Sequence, residues 1–273
     1  MTRTVVAFHA HPDDEALLTA GTMARAAAAG HRVILVIATD GGLGLAGEDY
    51  RGDGGLGQRR LQEAQRSGRA LGVERVDYLG YGDSGLDGEV PPDRAGQVRF
   101  VRAPLSEAAE KLAGILTTER ADVLLSYDRN GGYGHRDHVR VHQVGAAAAE
   151  LAGTPRVLEA TVPRDAICRA IDLVSRFYRF PPGFDPTTFQ RSFSPRAAIT
   201  HHISVARFAR AKRAAMRAHV SQATSGNGGD RTLAAFLRIP RPIYDVVFGR
   251  EWFIDPAAPP GAPIARDIFL GLP

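Results

Sequence analysis

Nine histidines occur in this chain, and five of them, His9, His11, His135, His138 and His142, crowd into two short windows. The first window reads His9-Ala10-His11-Pro12-Asp13-Asp14-Glu15. The second reads Asp128-Arg129-Asn130-Gly131-Gly132-Tyr133-Gly134-His135-Arg136-Asp137-His138. Together they offer imidazoles and carboxylates without a thiolate. Imidazole plus carboxylate, with three protein ligands and an open position, is the donor set of a hydrolytic zinc site; a structural site closes all four positions, usually with cysteines. The adjacent carboxylates of Asp13 and Asp14 can divide the work, one binding metal while the other accepts a proton from an attacking water. Each residue alone has a plainer reading. An Asp just ahead of a helix is commonly its cap, and a lone His is usually a hydrogen-bonded core or surface residue. The metal reading gains because both clusters sit where a strand should end.

The elements that must position them follow from apolar patterning. Thr4–His9 and Arg32–Ala38 are continuous apolar runs, as suits parallel strands buried on both faces. Arg75–Leu79 and Ala121–Tyr127 are further strand candidates. Between them, helices are predicted over Glu15–Ala29, Gln58–Leu71, Ala103–Thr118 and Asp137–Leu151, with Gly30 and Gly72 as stops. This alternation predicts an α/β fold, a mostly parallel sheet with helices on both faces. In such a sheet ligands bind beyond the carboxyl ends of the strands, so the two windows should meet. The later chain is less regular: a strand at Arg156–Val162, a helix at Asp165–Phe177, a strand at Ala197–Val205, a basic helix at Ala206–Val220, a loop at 224–230 and irregular coil from Asp255. Residues 1–155 are expected to form the catalytic core, and 156–273 a C-terminal part that completes the same domain and its substrate pocket.

With 273 residues, 44% of them hydrophobic, the chain can bury a core without staples. Its one cysteine, Cys168, supports no disulfide framework. The N-terminal apolar run is too short for a signal peptide, and no stretch is long enough for a membrane span, so the cytoplasm is the expected compartment. The net charge is +4, and all but Lys111 and Lys212 of the 34 basic residues are arginines. They are interspersed with acids rather than blocked together, which argues against a nucleic-acid footprint. A dinucleotide-binding turn would need a glycine-rich loop after the first strand, where the acidic first window stands instead.

The Ala10-His11-Pro12-Asp13-Asp14-Glu15 run, followed by Gly131-Gly132-Tyr133-Gly134-His135-Arg136-Asp137-His138, resembles the PIG-L/LmbE-like deacetylase family. Weaker matches at Arg60, Glu63, Leu71-Gly72, Lys212, Met216, His219, Ser221 and Gln222 extend the likeness to about residue 222. The resemblance implies a Rossmann-like fold and hydrolysis of the N-acetyl group of an N-acetylglucosaminyl residue. It implies one zinc ion per chain held by His11, Asp14 and His138, with Asp13 as general base. Tyr133 and His135 would polarise the carbonyl or stabilise the oxyanion, and Asp137 would orient or charge-balance His135. Arg60 matches a substrate-contacting position, although a solvated helix arginine is the plainer reading. The Thr39-Asp40-Gly41-Gly42-Leu43-Gly44 run lacks the family's glutamate. It borders the sugar pocket, which makes Asp40 a candidate substrate contact. Arg136 stands where the family commonly has proline. His142, although four residues from His138, is expected to be packing, and His9 a buried, hydrogen-bonded residue; at most one of His201 and His202 could face the site.

Substrate choice rests on less. Phe177, Tyr178, Phe180, Phe184, Phe189 and Phe193 form an aromatic, proline-rich stretch, read as a core-tucked loop or as an apolar rim for an amphipathic ligand. It is also the one segment suited to touching a membrane. With the arginine-rich composition, this favours a glycopeptide antibiotic precursor of the teicoplanin type. The glycine-rich second window resembles the mycothiol enzyme instead, which makes an N-acetylglucosaminyl-inositol the alternative. Either way the expected partner is a small-molecule glycoconjugate. A non-catalytic sugar-binding module is the reading from a different class; a degenerate zinc-binding scaffold without catalysis would be expected to lose Asp13 or Tyr133, and both are present.

Overall fold

Seven strands form one sheet: β1 (Thr4–His9), β2 (Arg32–Thr39), β3 (Arg75–Tyr81), β4 (Val123–Tyr127), β5 (Arg156–Thr161), β6 (His201–Ser204) and β7 (Arg250–Ile254). The computed structural model describes residues 1–44, 55–177, 185–223 and 232–272. The strand order is β3-β2-β1-β4-β5-β7-β6. β1 to β5 pair in parallel. β7 opposes both β5 and β6, so β6 runs with the first five. The central strands are apolar without alternation because both faces are covered. Val5 and Ala7 of β1 join a core with Met23, Met216 and Tyr244 on one face. Val6 and Phe8 join Leu112, Leu116, Val141 and Val144 on the other.

The helices on the first face are α1 (Asp14–Leu18), α2 (Ala20–Ala28), α3 (Gly55–Leu71) and, later in the chain, α7 (Ala209–Ala218). The opposite face carries α4 (Leu105–Thr118) and α5 (Arg136–Ala152). α6 (Arg164–Ser175), α8 (Val220–Ala223), α9 (Thr232–Arg238) and α10 (Arg241–Val247) complete the order. The single helix predicted over Glu15–Ala29 is two helices. Thr19 leaves helical geometry at φ −131° and sets its hydroxyl 2.7 Å from His9 Nε2. The strand predicted over Ala197–Val205 shortens to β6, preceded by a 3-10 turn at Arg196–Ala198. In the aromatic stretch, Tyr178, Phe180 and Phe184 lie outside the described residues, as does the predicted loop 224–230. No helix among the described residues is long and apolar enough to cross a membrane.

β7, α9 and α10 have no counterpart in the sequence reading. β7 opens on Arg250-Glu251, which breaks the apolar signal, yet Glu251 is buried for a structural reason. Its carboxylate accepts from the backbone N–H of Gly21 (2.8 Å) and Thr22 (2.7 Å), in the first turn of α2, and from Lys212 Nζ of α7 at 2.6 Å. A carboxylate at a helix N-terminus meets unsatisfied donors and the positive end of the helix dipole. Gly21 is required there, since a Cβ would lie 2.5 Å from Val205 Cβ. The acid thus ties β7 to α2 and α7 on the first face. Replacing Glu251 by Ala would strand a buried ammonium and two N–H groups. We expect Glu251→Ala to lower unfolding free energy by about 3 kcal/mol or more, and Glu251→Gln to cost less, as read from urea unfolding curves; an unchanged midpoint for Glu251→Ala would sink this account.

Candidate active site

The first window turns sharply as it leaves β1. Asp13 has φ 117° and ψ −24°, in the left-handed region, which strains a residue with a Cβ. It stands at the N-cap position of α1, but its side chain makes no cap hydrogen bond. The next carboxylate faces backwards, with Asp14 Oδ2 accepting from the His11 backbone N–H at 2.8 Å. The helix-capping explanation for this acidic pair therefore fails for both members.

Three donor atoms converge on one point. His11 Nδ1 lies 3.2 Å from Asp14 Oδ2, His138 Nε2 lies 3.3 Å from the same oxygen, and the two ring nitrogens are 3.3 Å apart. In a tetrahedral zinc site with bonds of about 2.0–2.1 Å, ligand atoms stand about 3.3 Å from one another. The triangle has those edges. Three acceptors facing each other at this distance repel unless a proton or cation lies among them. The other side of His11 supports the same reading. Its Nε2 donates to Asp137 Oδ2 (3.2 Å) and is 3.5 Å from Asp83 Oδ1, which leaves the Nδ1 lone pair for the triangle. His135 also lies against His11 and His138, with ring centroids 4.5 and 4.9 Å away, so a three-histidine set is within reach as well. The set with Asp14 fits better, because His135 Nδ1 is already taken by the Asp137 backbone N–H at 3.1 Å.

The titratable groups of this cluster are shifted in opposite directions. Burial disfavours a charged His11, but the carboxylates of Asp83, Asp137 and Asp14 overcome it and hold the imidazole pKa well above its ordinary value. Burial likewise opposes ionisation of Asp14, and the neighbouring His138 and His11 nonetheless hold it well below the usual carboxylate range. His135 goes the other way. Burial first, then the charges of His11 and His138, push it down to about 3. As a neutral ring that accepts at Nδ1, it carries its proton on Nε2. Burial raises Asp13 to about 6 against the opposing charge of Arg60.

The structure gathers His11, Asp13, Asp14, His135, Asp137 and His138 at one end of the sheet, with Tyr133 at the rim. Tyr133 is 45% exposed, and its ring meets His138 edge-on at 5.0 Å. Three details differ from the sequence-based expectations. The Asp137 carboxylate engages His11 and the Ser84 N–H (2.9 Å) rather than His135, which it reaches only through its backbone. Arg60 is no solvated helix arginine. It is 3% exposed, donates to Gly41 O (2.5 Å) and Pro12 O (2.6 Å), and pairs with Asp13 Oδ1 at 3.0 Å. Gly41, at φ +63°, is needed there, because a Cβ would strike that guanidinium. Asp40 spends its carboxylate on the protein: Gly42 N and Asp83 N on one oxygen, Arg94 and Gln97 on the other. It shapes the loop after β2 rather than holding out an acceptor to a ligand.

The other histidines take structural places. His9 is buried between Tyr127 Oη (2.9 Å) and Thr19 Oγ1, and burial lowers it to about 4. His142 meets Tyr127 O and Glu159, and His219 Nε2 lies 2.5 Å from Glu15 Oε1. Arg136, in the family's proline position, donates to Gly88 O at 2.9 Å. Two participants escaped the sequence reading. Tyr127 stacks on His138, centroids 4.6 Å apart and planes 8° from parallel. Asp83 stands just past the end of β3, and that position was the available signal, since the other donors also follow strand ends.

Residues 6–149 match the family model described as PIG-L, GlcNAc-PI de-N-acetylase. The chain belongs to this family. A 1D-myo-inositol 2-acetamido-2-deoxy-alpha-D-glucopyranoside deacetylase of Saccharomonospora viridis is 36% identical over 233 residues, 80% of this chain and 84% of that protein. The enzyme of the same name from Streptomyces avermitilis is 34% identical over 301 residues, 99% of this chain and 97% of its own length. Among solved structures, the teicoplanin deacetylase Orf2 superposes with a TM-score of 0.59 at 16% identity, covering 94% of this chain and 100% of that one; at that identity the likeness is one of fold. This PIG-L chain is an amide hydrolase of the deacetylase class, and its buried His/Asp group is suited to a metal ion. Removing the Asp137 carboxylate should weaken metal binding at this cluster by about 10–100-fold. Chelator competition on Asp137→Ala checks this, and an affinity equal to the wild type would detach Asp137 from the metal site.

Proposed function

We propose that this chain is a zinc-dependent deacetylase acting on an N-acetylglucosaminyl-inositol, releasing acetate and the free glucosaminyl amine. The observation that carries the substrate is the end-to-end match, at 34% identity over 99% of the chain, to an enzyme named for that glycoside. The glycopeptide precursor expected from the aromatic stretch is the weaker reading. Its structural neighbours share the fold at 16% identity, much of that stretch lies outside the described residues, and an arginine-rich composition does not distinguish substrates.

His11, Asp14 and His138 would hold the zinc. When bound, zinc supplies Lewis acidity that polarises a carbonyl and lowers the pKa of water. Asp13, pinned by Arg60 and by its own N–H to Glu15 Oε2 (2.9 Å), accepts a proton from the attacking water. A new C–O bond forms at the acetyl carbon. The Nε2–H of neutral His135 donates to the developing oxyanion, with the Tyr133 hydroxyl a second donor at the rim. The C–N bond then breaks, the proton held on Asp13 passes to the departing amine, and acetate remains. Catalysis, rather than sugar binding alone, is the reading that accounts for a strained carboxylate beside a three-donor triangle.

Acetate release from 1D-myo-inositol 2-acetamido-2-deoxy-α-D-glucopyranoside should exceed release from a teicoplanin-type N-acetylglucosaminyl pseudoaglycone in parallel assays. Faster turnover of the pseudoaglycone would reverse the assignment. Asp13→Ala should keep its zinc, by elemental analysis, and lose turnover by about 10² or more; near-normal rates would remove Asp13 as the base.

A further inference from the structure

A cavity of about 360 Å³ opens at the β6 edge of the sheet, beside β6 and β7. That volume lies within the range of small-ligand sites, about 300–1,000 Å³. None of its lining residues belongs to the zinc site. His202 and Trp252 are cross-strand partners in the β6–β7 ladder, with rings 11° from parallel and centroids 6.1 Å apart. Ile199 and Ile264 extend this flat apolar wall, and Arg196 and Arg250 also line the cavity.

Charge is what separates this cavity from an ordinary surface dent. No acidic residue lines it. Most ion-paired arginines of this chain, such as Arg3 with Asp122, Arg32 with Glu74 and Arg75 with Asp77, stand beside acids. Arg196, Arg250 and the nearby Arg266 are exposed and have no ion pair among the described residues. Arg196 and Arg250 line the cavity together with His202, and burial and then the charges of Arg250, Arg266 and Arg196 lower the His202 pKa. His202 Nε2 is itself buried without a hydrogen-bond partner. Like charges converging on an apolar wall, beside an unsatisfied polar atom, are complementary to an anion that carries a flat apolar body.

We propose that this cavity binds a small aromatic anion, a carboxylate or phosphate ester, with its ring against Trp252 and its charged group between Arg196 and Arg250. A planar guanidinium pairs with both head groups in a two-pronged fashion, so the chemistry is shared between them. The assignment is independent of the deacetylase reading, because it uses no residue of the zinc site.

Trp252 is the only tryptophan in the chain, so intrinsic fluorescence reports directly on this wall. The test is a titration with benzoate and with phenyl phosphate, alongside benzamide as a neutral ring and inorganic phosphate as a bare head group. A saturable change with at least one aromatic anion is expected, with Kd on the order of 1 mM or tighter, and neither control should match it. The better of the two anions identifies the head group. Added NaCl should weaken binding, and the double variant Arg196→Gln/Arg250→Gln should weaken it by about tenfold or more. Both arginines are exposed, so the fold should survive; if the double variant does not fold, Arg250→Gln alone carries the comparison. No saturable response to either anion, an equal response to benzamide or inorganic phosphate, or a variant that binds as the wild type would overturn the proposal.

Discussion

Three buried carboxylates packed around one imidazole are the constraint around which this molecule is arranged. Asp14, Asp83 and Asp137 are all buried at the ends of parallel strands, and all three reach toward His11. Isolated carboxylates in such a place are prohibitively costly, and removing one partner of a buried cluster leaves the others uncompensated. A single imidazolium satisfies part of the demand. A divalent cation at the His11–Asp14–His138 triangle would offset more of it and would also relieve the repulsion between the two facing ring nitrogens.

Holding that centre requires rigidity on every side, and the surrounding contacts supply it with buried polar pairs. Glu15, the last residue of the first window, accepts from the Asp13 N–H, the Ser67 hydroxyl and His219, and so fastens α1 to α3 and to the end of α7. Glu63 of α3 accepts from the backbone N–H and hydroxyl of Ser221. On the opposite side, Tyr127 closes over His138 while its hydroxyl meets His9, whose other nitrogen faces Thr19 at the break between α1 and α2. The interruption of that helix is therefore part of the support for the site. Each such network is worth its cost only when every member is satisfied.

This explains what could and could not be read from sequence. The central strands β1, β2 and β4 were legible because burial on both faces leaves near-continuous apolar runs, and the candidate metal donors drew notice because they follow strand ends. The roles of Arg60, Asp40 and Asp137 were not, since each depends on which of several nearby groups its side chain meets. Arg60 looked like a helix-surface arginine and is buried against Pro12, Gly41 and Asp13. Thr19 sat in a run of good helix formers, and only the long-range contact with His9 accounts for the break. β7 was obscured by Glu251, a charge placed in a strand because a distant helix N-terminus and Lys212 complete it.

The extent of the family match follows from the same division of labour. Residues 6–149 contain every proposed metal donor, the candidate base and both candidate oxyanion donors. The later chain supports the second window through both backbone atoms and hydroxyl side chains. Phe193 donates its N–H to Gly132 O at 2.6 Å and accepts from Asn130 at its carbonyl, while Ser194 and Thr161 donate hydroxyls to Asp128. Phe193 holds a left-handed φ of 53°, with its ring over Gly132. Contacts made by main-chain groups constrain where the chain passes more than which side chain it carries. At Phe193, whose N–H and carbonyl make the contacts, the backbone path fixes the loop that presents Tyr133 and His135, whereas Ser194 and Thr161 act through their hydroxyls. The proposed chemistry is confined to the first half, and the second holds in place the loop that carries part of it.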